Sequence, residues 1–405
     1  MKNLKLLCLF MVICLLAGCA SSAVSLTKEI KAEDVESKAA DNEFKSSQMD
    51  FSAELFKKVS LGNKNENIHI SPLSVSAALA MTVNGARENT KSEMEAMWQG
   101  ITSDRLNQYY LWWHTDLISS GELRMANSLW FQDNEYLKVD NGFLQNTVNY
   151  YGAEIFKTVF DDNAQKQLNK WVRKNTDGMI KEMEFDKNSA MCLVNAVAFD
   201  AKWETPYEKY SVHEGTFTNL DQSKSNVEMM SSKEEILLRD TNATGFIKNY
   251  KGEKYGFAAL LPNEDVDIYD YIETLDGDRL TAILNNKITT YTEVQIPKFT
   301  LDYKTELNDA LIDMGMKDAF DPIAADLSGM GSAGDVNLYV GKVIHKTHIT
   351  LNESGTKAAA STMVCVDAGS AMVPPSVILN RPFVFMIIDH GTGLPVFMGV
   401  ITELK

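Results

Sequence analysis

Six histidines, at 69, 114, 213, 345, 348 and 390, and five cysteines are the side chains of this 405-residue chain best suited to catalysis or metal binding. Their spacing supports neither. No HExxH pair places two imidazoles on one helix face, and no His, Cys and carboxylate set lies close enough in sequence to suggest zinc. His345 and His348 stand three apart in the β-like run "VIHKTHITL", which puts them on opposite faces of a strand. A shared metal is therefore not expected, and His345 should be buried and hydrogen-bonded. No GxSxG elbow presents a serine nucleophile. The one GxGxxG match, "GMGSAG" at Gly329 to Gly334, is followed by the strand-like "DVNLYV" where a dinucleotide site needs a helix, so a loop is expected there. Neither a metal nor a cofactor is expected, and no enzymatic chemistry.

The cysteines point elsewhere. "MKNLKLLCLFMVICLLAGCASS" sets Lys2 and Lys5 ahead of an apolar run from Leu6 to Leu16, the layout of a secretory signal; a transmembrane anchor is the alternative, but the run is short for a span. "LAGC", from Leu16 to Cys19, resembles the bacterial lipobox. That resemblance implies cleavage before Cys19, a diacylglycerol on its thiol, and a mature chain tied to the bacterial cell envelope, with the outer membrane as the expected site. Residues 1–18 would be the leader, and Cys8 and Cys14 would leave with it. Cys192 and Cys365 are then the only thiols free to pair, so the folded unit must rest on its core rather than on a disulfide framework. Losing Lys2 and Lys5 takes the net charge from −16 to −18. So acidic a chain, without basic blocks interleaved with aromatics, excludes a nucleic-acid partner.

Stepping along the chain, residues 19–48 are polar and poor in aromatics and read as a flexible tether, with the folded unit spanning 49–405. No second linker or repeat follows. "SPLSVSAALAMTVNGA" has Ser71 as a cap and Pro72 at the first helical position, which predicts a buried helix ending near Gly85. "LNKWVRKNTDGMIKEM" is amphipathic and closes toward Gly178. "CLVNAVAFDAKW" and "VIHKTHITL" have strand character, and "RPFVFMIIDHGTGLPVFMGVITE" reads as a buried hairpin. Helices dominate the first half and strands the second, an α+β pattern.

Between the last two of these lies "NESGTKAAASTMVCVDAGSAM". Every second residue from Thr356 (Thr356, Ala358, Ala360, Thr362, Val364, Val366, Ala368) is small or β-branched, whereas the other register is more polar. The segment is patterned as a strand with one face to bury; a surface loop with chance alternation is the alternative.

These residues resemble the serpins. "LYVGKVIHKTHITLNESGTKAAAST", "NRPFVFMIID" and "LPVFMGVI" carry the likeness at this end, and "NIHISPLSVSAALAMTVNGARENTKSEM", "LVNAVAFDAKWETPY" and "IPKFTLDYKTELNDALIDMGMKDAF" carry it earlier, in the family's order. The resemblance implies three β-sheets, about nine helices and an exposed reactive-centre loop, here within 352–376. It also implies a monomeric suicide inhibitor: a target protease cuts the loop, becomes acylated, and is trapped when the loop enters the central sheet as a strand. Glu353, Gly355 and Thr356 match the hinge, and Ala358, Ala359, Ala360, Ser361 and Thr362 match its run of small residues, which suits entry between close-packed strands. Ser354 and Lys357 depart from the acidic residues common there. Ser71, Ser74, Asn195 and His345 match the polar cluster under the sheet, and Trp203 the place where insertion starts.

Counting from the hinge puts the scissile bond at Gly369-Ser370, and counting back from Pro374-Pro375 and Arg381-Pro382-Phe383 puts it at Ala371-Met372. The window is Ala368 to Met372, and the hinge count is preferred. Small residues there point to a protease with a shallow pocket, elastase- or subtilisin-like. Met363 and Cys365 leave papain-like cysteine proteases open, and a non-inhibitory binding or carrier lipoprotein is the other reading.

Overall fold

In the computed structural model, which describes residues 23–27, 29–184, 186–356 and 374–405, the first helix opens earlier than its polar composition suggests. Asp41 accepts the Phe44 N–H at 3.0 Å, and helix α1 runs over Asn42–Gly62. Phe44, Ser47, Gln48, Phe51 and Leu55 recur at helical spacing and are buried. Phe44 stacks on Tyr109 with ring centroids 4.6 Å apart. Gln48 is polar yet pays no desolvation penalty, because its Oε1 accepts from Ser76 Oγ, Tyr110 OH and Trp98 Nε1 at 2.7, 2.9 and 3.1 Å. The flexible tether expected over 19–48 is therefore corrected: 42–48 are helix. Ahead of them, strand β1 (Val24–Ser25) pairs with a sheet edge, and Leu26 and Ile30 pack on the core. Cys19 and the leader 1–18 lie outside the described residues.

Ser71 caps helix α2 (Pro72–Val83) by accepting the Ser74 N–H at 3.2 Å, and all but one of the helix's residues are buried, as its sequence predicts. Helix α3 (Asp162–Asn175) is capped by Asp161, which accepts from Asn163 N and Ala164 N at 2.9 and 2.8 Å. Its apolar face, Ala164, Leu168, Trp171 and Val172, packs with Trp130, Val194 and Ala196 of two strands beneath it. Nine α-helices occur among the described residues.

The strands that matter most are β2 (Leu123–Gln132), β3 (Glu154–Thr158), β4 (Met191–Phe199), β5 (Ala201–Lys202), β6 (Phe299–Glu306), β7 (Ile344–Asn352) and β8 (Gly355–Thr356). They form two four-stranded ladders, β1-β3-β2-β4 and β6-β7-β8-β5. Only Asp200 separates β4 from β5, so the two ladders are joined at one end and parted along the rest. A nine-stranded sheet packs behind, and toward one edge of it runs the predicted hairpin β9 (Phe383–Asp389) and β10 (Pro395–Ile401), whose residues are all buried. The expected three sheets thus appear as four bonded groups among the described residues. One sheet is split, and a short ladder joins Leu137–Val139 to Gly331–Ala333. That ladder replaces the loop expected over Gly329 to Gly334. Gly331 has φ of +146°, and a Cβ there would lie 2.1 Å from Lys138 O. The stretch after it is not a strand: beyond one bridge between Ala333 and Val336, its polar groups bond locally, Asn337 Nδ2 donating to Ala325 O at 2.6 Å.

Candidate functional site

The site is the parting between β4 and β7. β4 is paired with β2 on one side and β7 with β6, with β8 on its other side only at Leu351 and Asn352, and no ladder joins β4 to β7 among the described residues. Between them opens a cavity of about 530 Å³ lined by Ser74, Met191, Cys192, Asn195, Tyr339 and His345, among others. Unpaired strand edges are templates for another strand, and among the described residues no strand runs between this pair below Thr356.

The far end of the parting is filled. β8 pairs with β7 (Leu351 opposite Thr356, Asn352 opposite Gly355) and with β5 (Gly355 opposite Lys202, Thr356 opposite Ala201). Trp203 N donates to Ser354 O at 3.0 Å and Trp203 Nε1 to Asn352 O at 2.9 Å, while Tyr207 N donates to Glu353 O at 2.8 Å. Trp203 stacks on Tyr250 at 4.5 Å, and the Tyr250 hydroxyl bonds Thr356 Oγ1 at 2.7 Å. Gly355 has φ of +146°, and a Cβ there would sit 2.1 Å from Ala201 O, so only glycine passes this point unstrained. Glu353 pairs with Lys298 at 3.2 Å, and Lys298 also meets Glu228 at 2.9 Å. The Glu353 carboxyl is held below the usual carboxylate range, first by its own backbone N–H and also by Lys298.

Behind this hinge lies a buried ion pair. Lys248, 2% exposed, meets Glu234 at 2.7 Å and lies 4.6 Å from the ring centre of Tyr207 and 5.4 Å from that of Trp203. The rings of the two residues that hold the 352–354 backbone thus rest on a desolvated cation.

Below the parting, a second polar set crosses from one ladder to the other. His345 Nε2 accepts the Ser71 N–H at 2.9 Å, and Ser71 Oγ donates to Val396 O at 2.8 Å. Ser74 Oγ donates to Asn195 Oδ1, Asn195 Nδ2 to Asn127 Oδ1 at 2.6 Å, and Asn127 Nδ2 to Tyr151 O at 2.7 Å. The N-terminus of α2 therefore ties β7 to β4 and β2 through side chains where no backbone ladder does. Burial pushes His345 down to about 4, keeping it the neutral acceptor that Ser71 requires. His348, on the opposite face as its position predicts, bonds Asp302 at 2.7 Å.

Ser71, Ser74, Asn195 and His345 are thus brought together, whereas Trp203 belongs to the hinge end with Glu353, Gly355 and Thr356. Ala358, Ala359, Ala360, Ser361, Thr362 and the window Ala368, Gly369, Ser370, Ala371, Met372 lie outside the described residues. Sequence reasoning missed Asn127, Tyr250, Lys248, Glu234 and Lys298. Asn127, Glu234 and Lys248 sit on three separate strands, Tyr250 just past the end of one and Lys298 between two, and only Lys248, a lone cation within the apolar "GFIKNY", carried a local signal. Among the described residues no group of three or more His, Cys, Asp or Glu side chains could hold a metal ion. None of their helices is long and apolar enough to cross a membrane.

A protein-family model described as "Serpin (serine protease inhibitor)" matches residues 46–404. The crystal structure of a thermophilic serpin, tengpin, in its native state is 41% identical, with a TM-score of 0.89, covering 95% of this chain and 100% of that one. The same protein in its latent state gives 39% identity and a TM-score of 0.80, over 91% and 100%. Leukocyte elastase inhibitor of Equus caballus is 29% identical over 86% of this chain and 96% of its own.

Proposed function

The chain belongs to the serpin family, whose members bind target proteases and act as inhibitors rather than enzymes, and from that premise we propose that it is a suicide-type protease inhibitor. The observation that carries this is β8: Gly355 and Thr356 already occupy the first two places of a strand position that runs on between β4 and β7. In this reading a protease cuts at Gly369-Ser370, within the window Ala368 to Met372, and is held as an acyl-enzyme on Gly369. The freed loop then zips into the position. Continued at the β5 register, Thr356 to Val366 would face Ala201 down to Met191, the first residue of β4. Fourteen residues at about 3.3 Å each carry the protease roughly 45 Å.

The polar set under the parting ties the two strands to one another across it until then. Its bonds run through side chains, so β4 and β7 are held at a distance without consuming the edge N–H and C=O groups that an entering strand must use. The small residues proposed at the scissile bond suit an elastase- or subtilisin-like target. The "LAGC" sequence supports a lipid on Cys19, and we place the inhibitor as a monomer on the bacterial cell envelope.

The test is incubation with elastase-, subtilisin-, trypsin- and papain-like proteases followed by denaturing gel electrophoresis. A denaturant-stable complex with a small-residue protease is expected. Cleavage across the panel with no such complex would favour a non-inhibitory binding protein. Cys19→Ala should abolish metabolic labelling with a fatty acid, and labelling that persisted would refute the anchor.

A further inference from the structure

Helix α3 departs from the charge of the chain that carries it. The chain is −16 overall, yet α3 holds Lys166, Lys170, Arg173 and Lys174 against a single acid, Asp162. Lysines four apart form one row along a helix, and the apolar residues that pack on the sheet, Ala164, Leu168, Trp171 and Val172, occupy the opposite side. All three lysines are exposed, and among the described residues none is in an ion pair. The neighbouring carboxylates are engaged otherwise. Asp161 caps the helix, Asp162 meets Lys187 at 2.6 Å, and Asp177 meets Arg124 at 3.5 Å. The row is therefore a strip of uncompensated positive charge on an acidic molecule.

The start of the described chain lies against this same helix. Ala23 N donates to Gln167 Oε1 at 2.9 Å, Val24 and Ser25 pair with Lys157 and Phe156, and Leu26 N donates to Ile155 O at 2.9 Å. The backbone is thus bonded to the sheet edge up to Gln167, which neighbours Lys166 in the helix. From Ala23 back to Cys19 the chain can reach about 14 Å when fully extended. That is little more than the roughly 8–10 Å over which surface charges are felt in physiological salt. However the body turns on so short a leash, the lysine row stays close to any bilayer that holds Cys19.

We propose that the lysine row of α3 docks on an anionic phospholipid surface, so that the inhibitor lies with the helix-covered face of its central sheet against the membrane. The inference rests on the lipid on Cys19 proposed above. Such a surface draws in the row and repels the acidic remainder of the chain, which fixes the orientation as well as the contact. Each lysine near an anionic leaflet shifts the equilibrium toward contact by roughly fivefold, and three by roughly a hundredfold. An inhibitor so held presents its loop in one orientation to proteases arriving from the medium.

The test uses the full chain, extracted from membranes in detergent and reconstituted into vesicles of phosphatidylcholine alone or mixed with phosphatidylglycerol. A water-soluble acetylating reagent is added, and mass spectrometry follows its rate at Lys166, Lys170 and Lys174 against Lys287, an exposed lysine beside the nine-stranded sheet. The expected result is a severalfold slowing at the three lysines in the anionic vesicles alone, lifted by high salt, with Lys287 unaffected. Lys170→Glu should return Lys166 and Lys174 to their rates in neutral vesicles. Equal rates in the two kinds of vesicle would overturn the docking and leave the anchor standing. Slowing that is as great in phosphatidylcholine and survives salt would overturn the anionic partner and assign the row to contact with a second copy of the chain. A chain recovered without an acyl group on Cys19 would overturn the anchor, and with it the docking that depends on it.

Discussion

Thr356→Arg tests the hinge most directly, because the structure places Thr356 in the sheet before any cleavage. Its side chain is 2% exposed, lies between Leu351 and Ala201 in the ladder, and bonds the Tyr250 hydroxyl at 2.7 Å. Arginine removes that partner, and an unpaired buried hydroxyl costs about 1–3 kcal/mol. A guanidinium held in the same place without a counter-ion costs several kcal/mol more. Even about 3 kcal/mol in the barrier to insertion slows it roughly a hundredfold, so hydrolysis of the acyl-enzyme overtakes trapping. The assay is the number of inhibitor molecules consumed per protease inactivated, read beside the yield of denaturant-stable complex on a gel. The variant should run almost wholly as cleaved product. Thr356→Val, which loses only the hydroxyl, should raise the stoichiometry far less. A Thr356→Arg protein that trapped protease at the parental stoichiometry would refute the placement of this residue on the buried face.

Three further outcomes follow from the same geometry. Gly355→Ala puts a methyl where Ala201 O lies 2.1 Å away and where φ is +146°, so the hinge should leave the sheet and complex yield should fall; unchanged yield would refute the early seating of β8. Lys248→Met strands Glu234 beneath the hinge platform and should cost about 3–5 kcal/mol in urea unfolding, while adding Glu234→Leu should restore most of it; equal losses in both would show that packing, not charge, is at stake. His345 is held near 4 by burial, against about 6.5 unfolded, so between these values the unfolded chain binds a proton that the folded chain does not. Its contribution is whole above about pH 6.5 and is lost as pH falls toward 4, some 3 kcal/mol in all; His345→Gln should flatten that part of the pH–stability curve, and an unaltered curve would refute the assignment.

Much of this was legible in local pattern. Ser71 and Pro72 mark the start of α2, the terminal hairpin declares itself through two unbroken apolar runs, and the odd spacing of His345 and His348 separates a buried acceptor from a partly exposed side chain. The helical turn at 42–48 was hidden because Ser47 and Gln48 look like solvent-facing residues. They are buried, and the partners that make this tolerable for Gln48 (Ser76, Trp98 and Tyr110) come from elsewhere in the chain.

The sequence by itself determined which residues can alternate as a strand, which are small enough to pass between strands, and the family to which the whole pattern is similar, because side-chain period and volume are properties of neighbours along the chain. Only the tertiary structure decided that the central sheet is parted and that Gly355 and Thr356 are already seated in it. The physical reason is that register and strand separation are settled between segments more than a hundred residues apart. There, one side chain's burial is made possible by a partner that no local window contains.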